Sequence, residues 1–377
     1  MPGWFSKQTQ LLAAVVAGLI AGLLLSTRLW LSSRSFPMTP VWRAIGPFAA
    51  PWDWVVFAVL LGLLLCVCAW PGRKAFAWPA LGLLLVLALQ DQSRWQPWFY
   101  QYVFMLAALA LADARRPEGA LGTCRFIVAS IYFWSGVAKF NPIFRADTFP
   151  WLIAPLTKAH WMTQLWWLAP IVECAIGVGL LSRRFRMPAL VAAIAMHVLI
   201  LASLGPLGHN VNTVVWPWNV AMVCFLLILF RRGDEPAQEI LWVRASPLHV
   251  VALALFGVAP VLSLFNLWDH YLSSELYSGK RTSGVIYLSD AVLDRLPSEI
   301  EGHVTEGAPN RNELDITDWS VEELNVPAYP EIRIYKNAAR RVCGYVPADT
   351  SVQLTIHTKP ALLNGNREYN FGCADLK

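Results

Sequence analysis

The first 265 residues are a succession of apolar stretches of about 15 to 20 residues, with nearly all of their basic residues in the short gaps between. A chain of that pattern has few folds open to it. About 20 apolar residues span the ~30 Å hydrocarbon of a bilayer as a helix. There every backbone N–H and C=O must be satisfied within the chain. The stretches 11 to 30, 54 to 70, 76 to 90, 98 to 112, 124 to 139, 166 to 182, 187 to 204, 214 to 230 and 248 to 265 predict roughly nine spans. The expected fold is an all-α polytopic membrane helix bundle over residues 1 to 265, followed by a small α+β domain over 266 to 377.

Hydrophobic residues make up 56% of the chain, as integral membrane proteins require. Many of the 19 tryptophans flank the apolar stretches, and Trp30, Trp52, Trp54, Trp70, Trp98, Trp166 and Trp167 read as interfacial anchors. The formal charge of +5 comes with basic residues placed in membrane loops, which argues against nucleic acid as a partner. The first apolar stretch lacks a small-x-small cleavage site after Arg28, so it reads as an uncleaved span.

Every second gap is basic: Arg73 and Lys74, then Arg115 and Arg116, then Arg183, Arg184 and Arg186, then Arg231, Arg232 and Arg244. On nine spans these gaps would face the cytoplasm and the C-terminal domain the outside. Arg28, Arg34 and Arg43 in the first gap run against that rule. An extracytoplasmic domain would let Cys343 and Cys373, its two cysteines, pair as a disulfide. Cys66, Cys68, Cys124, Cys174 and Cys224 lie in or beside spans and read as packing residues. Within the domain, residues 285 to 288 and 352 to 356 alternate as strands do. Residues 291 to 296 predict a short helix, and 331 to 342 suits strand or helix. The domain carries no Gly-rich phosphate loop, HExxH or GxSxG pattern.

Polar residues inside apolar stretches are the candidates for function. Tyr132, Gly136 and Lys139 fall on one helix face, where Gly136 would let another helix or a flat ligand approach a hydroxyl and an amine. Lys139 reads either as a desolvated base or as a side chain snorkelling to the headgroups. Asp91 and Arg94 are either pocket residues or a local clamp between two helices. His209, Asn210 and Asn212 occupy a gap without Lys or Arg and suit the polar floor of a pocket. Glu173 and His197 lie at similar depth on consecutive spans and either form a buried pair or are each satisfied by backbone or water. These groups are too few for a metal site, which needs three or more convergent ligands.

The segment Tyr132-Phe-Trp-Ser-Gly136-Val-Ala-Lys139-Phe-Asn141 resembles the YFxAGxxKLD signature of the vitamin K-dependent gamma-carboxylase-like (HTTM) membrane proteins. The wider hydropathy resembles their relatives in the redox-associated DoxX-like group. The resemblance implies that Lys139 is the base that deprotonates a reduced quinone. The chain departs from that pattern in reading Asn141-Pro in place of Asp-Trp, and in having no histidine between Asp91 and Tyr102. Two functions follow as expectations. One is an inner-membrane protein with an outward-facing intramembrane pocket for a lipid or quinone-like molecule, supporting proton abstraction or a redox step. The other is a non-enzymatic anchor that presents the domain to an extracytoplasmic protein. A transporter is less consistent, because no paired repeat of broken spans is present. The sequence names no cofactor and does not decide whether the protein is an enzyme.

Overall fold

The computed structural model describes residues 6–42, 44–112, 118–231, 236–241, 247–347, 352–360 and 367–376. Arg43, Arg115, Arg116, Arg232 and Arg244, used in the orientation argument, lie outside the described residues.

The apolar stretches are helical: α1 Lys7–Leu25, α2 Trp52–Ala69, α3 Lys74–Gln90, α4 Pro97–Leu111 and α5 Glu118–Ala138. After the short α6, Phe149–Ile153, come α7 Leu168–Leu181, α8 Arg186–Leu204 and α9 Val215–Phe230. The last stretch is interrupted by a π-helical turn at Leu253–Val258, just before Pro260, whose missing N–H breaks the regular ladder.

Four of the described helices, α1, α2, α5 and α8, are long and apolar enough to cross a membrane. The expected nine spans are corrected to four candidates. Helices α3, α4, α7 and α9 have 17, 15, 14 and 16 residues. At 1.5 Å per residue they reach about 21 to 26 Å, short of about 30 Å of hydrocarbon. Apolar composition overcounts because it does not see where helices end. Trp166 and Trp167, for example, follow a 3-10 turn at His160–Leu165 and precede α7. The alternation of basic gaps was counted on nine spans and has no counterpart in four.

The chain divides into two compact units. The first comprises residues 1–25, 58–84 and 97–280. In it α5 packs closely on α7, and α1 on α4 and α9. Glycine permits the α5–α7 approach: a Cβ on Gly136 would lie 2.7 Å from the Cys174 nitrogen and 2.7 Å from the Pro170 oxygen. Gly177 meets the Ala129 oxygen in the same way, at 2.8 Å. Small residues facing each other across two apolar helices are the usual device for such contact. The outer face of α8 exposes Val191, Val198 and Leu199, apolar surface suited to lipid.

The second unit comprises 26–57, 85–96 and 281–377. It thus starts at Arg281 and includes two segments from the first part of the chain, whereas the sequence reading drew one boundary at residue 266. Its five-stranded sheet has the order β2-β3-β1-β4-β5, with all pairs antiparallel: β1 Ser283–Leu288, β2 Thr305–Ala308, β3 Arg311–Asp315, β4 Val352–His357 and β5 Glu368–Gly372. Both strands expected from alternation are present, and β1 is buried at every second residue. The helix expected at 291 to 296 covers Asp290–Leu293.

Helix α10, Ile316–Leu324, is capped by the Asp315 carboxylate, which accepts from the Thr317 and Asp318 amides. Residues 331 to 342 belong to helix α11, Ile332–Cys343, which buries Ile334, Tyr335, Ala338, Ala339 and Val342 at helical spacing. Cys343 at its end is disulfide-bonded to Cys373.

Hydrogen bonds tie the 26–57 segment to these helices. The Glu323 carboxylate accepts from the amides of Ser35 at 2.6 Å and Phe36 at 2.7 Å. Arg333 donates to the Pro40 carbonyl at 2.6 Å and Asn337 to that of Met38 at 3.0 Å. Trp52 and Trp54 are exposed as interfacial anchors would be, but Trp30 and Trp98 are buried. The Trp30 indole donates to Ser26, and Trp98 lies against Gly22 of α1.

Candidate functional site

Helix α5 and the turn after it place Tyr132, Ser135 and Lys139 along one side of a cavity of about 260 Å³ in the helical unit. The walls are mainly apolar, from Ile131, Phe144, Met196, Ile200, Phe256 and Leu272 among others. Polar side chains form two chains of hydrogen bonds.

In the first, the Lys139 ammonium lies 2.7 Å from the Glu173 carboxylate of α7 and donates to the Ser135 hydroxyl at 2.6 Å. Lys139 is 6% exposed and Glu173 7%. The snorkelling reading is therefore corrected: the ammonium turns into the protein because a buried carboxylate offers it a stronger partner than a distant headgroup.

In the second chain, Asn219 donates from its amide nitrogen to the Val215 carbonyl at 2.7 Å. Its oxygen therefore faces the His197 Nδ1, 2.7 Å away, which must donate to it. The His197 Nε2 is left as an acceptor, and it takes the hydrogen bond of the Tyr132 hydroxyl. The lone pairs of the Tyr132 oxygen then remain to receive a donor from the cavity.

The expected Glu173–His197 pair is corrected, since each residue has another partner. Both nonetheless line the cavity. Gly136 does not line it, because α7 fills the space in front of it. Asn219 and Ser135 were missed as site residues, although an asparagine within the apolar run Val215–Phe230 was a legible signal.

Asp91 and Arg94 belong to the second unit and do not line the cavity. Asp91 pairs with Arg34, not with Arg94, and accepts from the amides of Thr39 at 3.0 Å and Ser93 at 3.1 Å. Arg94, 1% exposed, donates to the carbonyls of Leu29 at 3.0 Å, Trp30 at 2.9 Å and Leu87 at 2.7 Å. Burial pushes its guanidinium down to about 9, a shift that the Asp91 charge opposes, so it stays protonated near neutrality. The two residues fasten chain segments, and Arg34 joins them through its pair with Asp91 and its hydrogen bonds to the Phe36 and Leu29 carbonyls.

His209 stacks on Trp151 at 4.0 Å and hydrogen-bonds its carbonyl at 2.7 Å. Asn210 is exposed, while Asn212 donates to the Tyr277 hydroxyl at 3.0 Å. None of the three lines the cavity, but Tyr277 does. Their work is to hold a covering segment in place. That segment supplies Tyr271, Leu272 and Tyr277 to the cavity wall and is also tied by Asn141, which donates to the Ser278 carbonyl at 2.9 Å. Glu275 anchors it from within, pairing with His270 at 2.9 Å and accepting from Ser263.

Among the described residues no group of three or more His, Cys, Asp or Glu side chains is placed to hold a metal ion. Comparison with protein-family models, with curated proteins and with solved structures gives no match for this chain.

Proposed function

We propose that this membrane-associated protein binds a lipid or quinone-like amphiphile in the cavity of its helical unit, with the polar end of the ligand at Tyr132, Ser135, Lys139, Glu173 and His197. The observation that carries the reading is the concentration of ionisable and hydroxyl side chains at one place in an otherwise apolar cavity. Ligand sites are built this way, with apolar walls for affinity and a few convergent polar groups for orientation.

The chemistry these groups support is proton exchange. A ligand hydroxyl would transfer its proton to the Glu173 carboxylate while the Lys139 ammonium stabilises the oxyanion left behind. In the ion pair Lys139 is a donor, so Glu173 is the better base, in contrast to the role that the resemblance assigns to the lysine. The resemblance around Tyr132–Lys139 supports the class of ligand. The Cys343–Cys373 disulfide supports an extracytoplasmic side for the β-containing region, and the four candidate spans support a multi-pass place in the inner membrane.

Native mass spectrometry of gently extracted protein tests the proposal, wild type beside the double variant Lys139→Met/Glu173→Leu, which strands no charge. The expected result is a co-purifying small amphiphile in the wild type that the variant loses while keeping its fold. Equal retention by both would refute a role for the polar cluster. A stable protein partner in its place would favour the anchoring function.

A further inference from the structure

The cavity is not equally closed on all sides. Tyr132, Lys139, Glu173 and His197 are nearly buried, with 2 to 7% of their surface exposed. The most exposed lining residues are Leu156, at 41%, and Leu199, at 57%. Leu199 lies on α8, a candidate membrane span, in line with the exposed apolar residues Val191 and Val198. Leu156 follows α6, which is fixed to α8 by the Ser203 hydroxyl donating to the Leu152 carbonyl. The rim between α6 and α8 is therefore apolar and continuous with surface that would face lipid, while the charged groups lie deep.

We infer that the ligand enters sideways from the bilayer between α6 and α8, polar end first, and is a long-chain amphiphile with a small uncharged hydroxyl or carbonyl head. The inference rests on the binding role proposed for the cavity. Size supports it: pockets that enclose a drug-sized ligand run from about 300 Å³ upward. At about 260 Å³ the cavity holds a head and a few carbons, and a long chain has to leave through the rim into lipid. Charge supports it as well. The Lys139–Glu173 pair is neutral as a whole, so a phosphate head would bring an uncompensated buried charge against the Glu173 carboxylate. A hydroxyl would donate to the Glu173 carboxylate and accept from Lys139, with the Tyr132 oxygen as a second acceptor beside it, and a carbonyl would accept from Lys139.

Two hexadecanol probes in phosphatidylcholine nanodiscs test this, one with a diazirine near the hydroxyl and one with it near the terminal methyl. Photolabelled peptides are mapped by mass spectrometry in the wild type and in Leu156→Trp/Leu199→Trp. The expected result is that the head-proximal probe labels residues 131–139 in the wild type. That labelling should fall at least about fivefold in the double variant, whose substitutions lie on the surface and leave its melting temperature unchanged. The methyl-end probe should label only the rim. Unchanged head-proximal labelling in the double variant would overturn the lateral route, and methyl-end labelling of 131–139 would overturn the orientation. Absence of cavity labelling by either probe in the wild type would instead refute the binding role and, with it, this inference.

Discussion

Replacing Lys139 by methionine removes the ammonium and leaves the Glu173 carboxylate 7% exposed with no cation beside it. At 2.7 Å the attraction is about 6 kcal/mol at an effective dielectric constant of ~20. Desolvation of both groups offsets much of this, so the pair is worth little net. Breaking it from one side is different, because the stranded charge keeps its desolvation cost. The expected loss is about 3 to 5 kcal/mol, a large share of the roughly 5 to 15 kcal/mol typical of a folded domain. Glu173→Leu alone should cost about as much by stranding the ammonium, whereas Lys139→Met/Glu173→Leu together should lie within about 1 to 2 kcal/mol of wild type. Unfolding of the purified protein in mixed micelles, titrated with a denaturing detergent, gives all three values. If Lys139→Met unfolds like wild type, the ammonium does not depend on Glu173 and the snorkelling position would be restored.

Arg94→Met should destabilise the second unit by about 3 kcal/mol or more, because the carbonyls of Leu29, Trp30 and Leu87 lose their donor at a buried site; faster hydrogen exchange across 26–40 and 85–96 would report it. Arg94→Lys should recover only part of the loss, since an ammonium cannot reproduce the guanidinium fork. Gly136→Ala should cost about 1 to 3 kcal/mol, because a methyl group there meets the Cys174 sulfur at 2.6 Å and, at 2.7 Å, α7 backbone atoms of Cys174 and Pro170 that cannot swing aside; thermal unfolding measures it. The Asp318 carboxyl, on a residue with its surface largely open, is raised by partial desolvation and then by the neighbouring Asp315 carboxylate. Its proton is held more tightly in the folded state, so stability falls as pH rises from the ordinary carboxylate value through the raised one. Asp318→Asn should therefore slow amide exchange in α10 near neutral pH and leave it unchanged at low pH. A gain that persists below both values would contradict the electrostatic cause.

Apolar composition sufficed to place the helices, because each stretch must fold as a helix in any apolar surrounding. It did not give their lengths, which depend on where turns and prolines stop the backbone ladder. The strands β1 and β4 were legible for a similarly local reason, short runs of β-branched and aromatic residues bounded by turn formers, although only β1 keeps a strict period of two in its burial and β4 buries Leu354, Thr355 and Ile356 in succession. Two cysteines in an otherwise cysteine-free tail pointed to each other without reference to the fold.

Partner choice is another matter. At 1.5 Å per residue, sequence places a side chain at a depth along its helix, which is why Lys139, Glu173 and His197 were all recognisable as candidates. Depth does not say which way a side chain points around the bundle. That angle is decided by packing, here by the close approach of α5 and α7 that Gly136 allows against Pro170 and Cys174 and Gly177 against Ala129 and Phe133, which sets Lys139 beside Glu173 and frees His197 for Tyr132 and Asn219. The polar inventory of the site is thus written in the local chain, while its pairing exists only once helices far apart in sequence have chosen their faces.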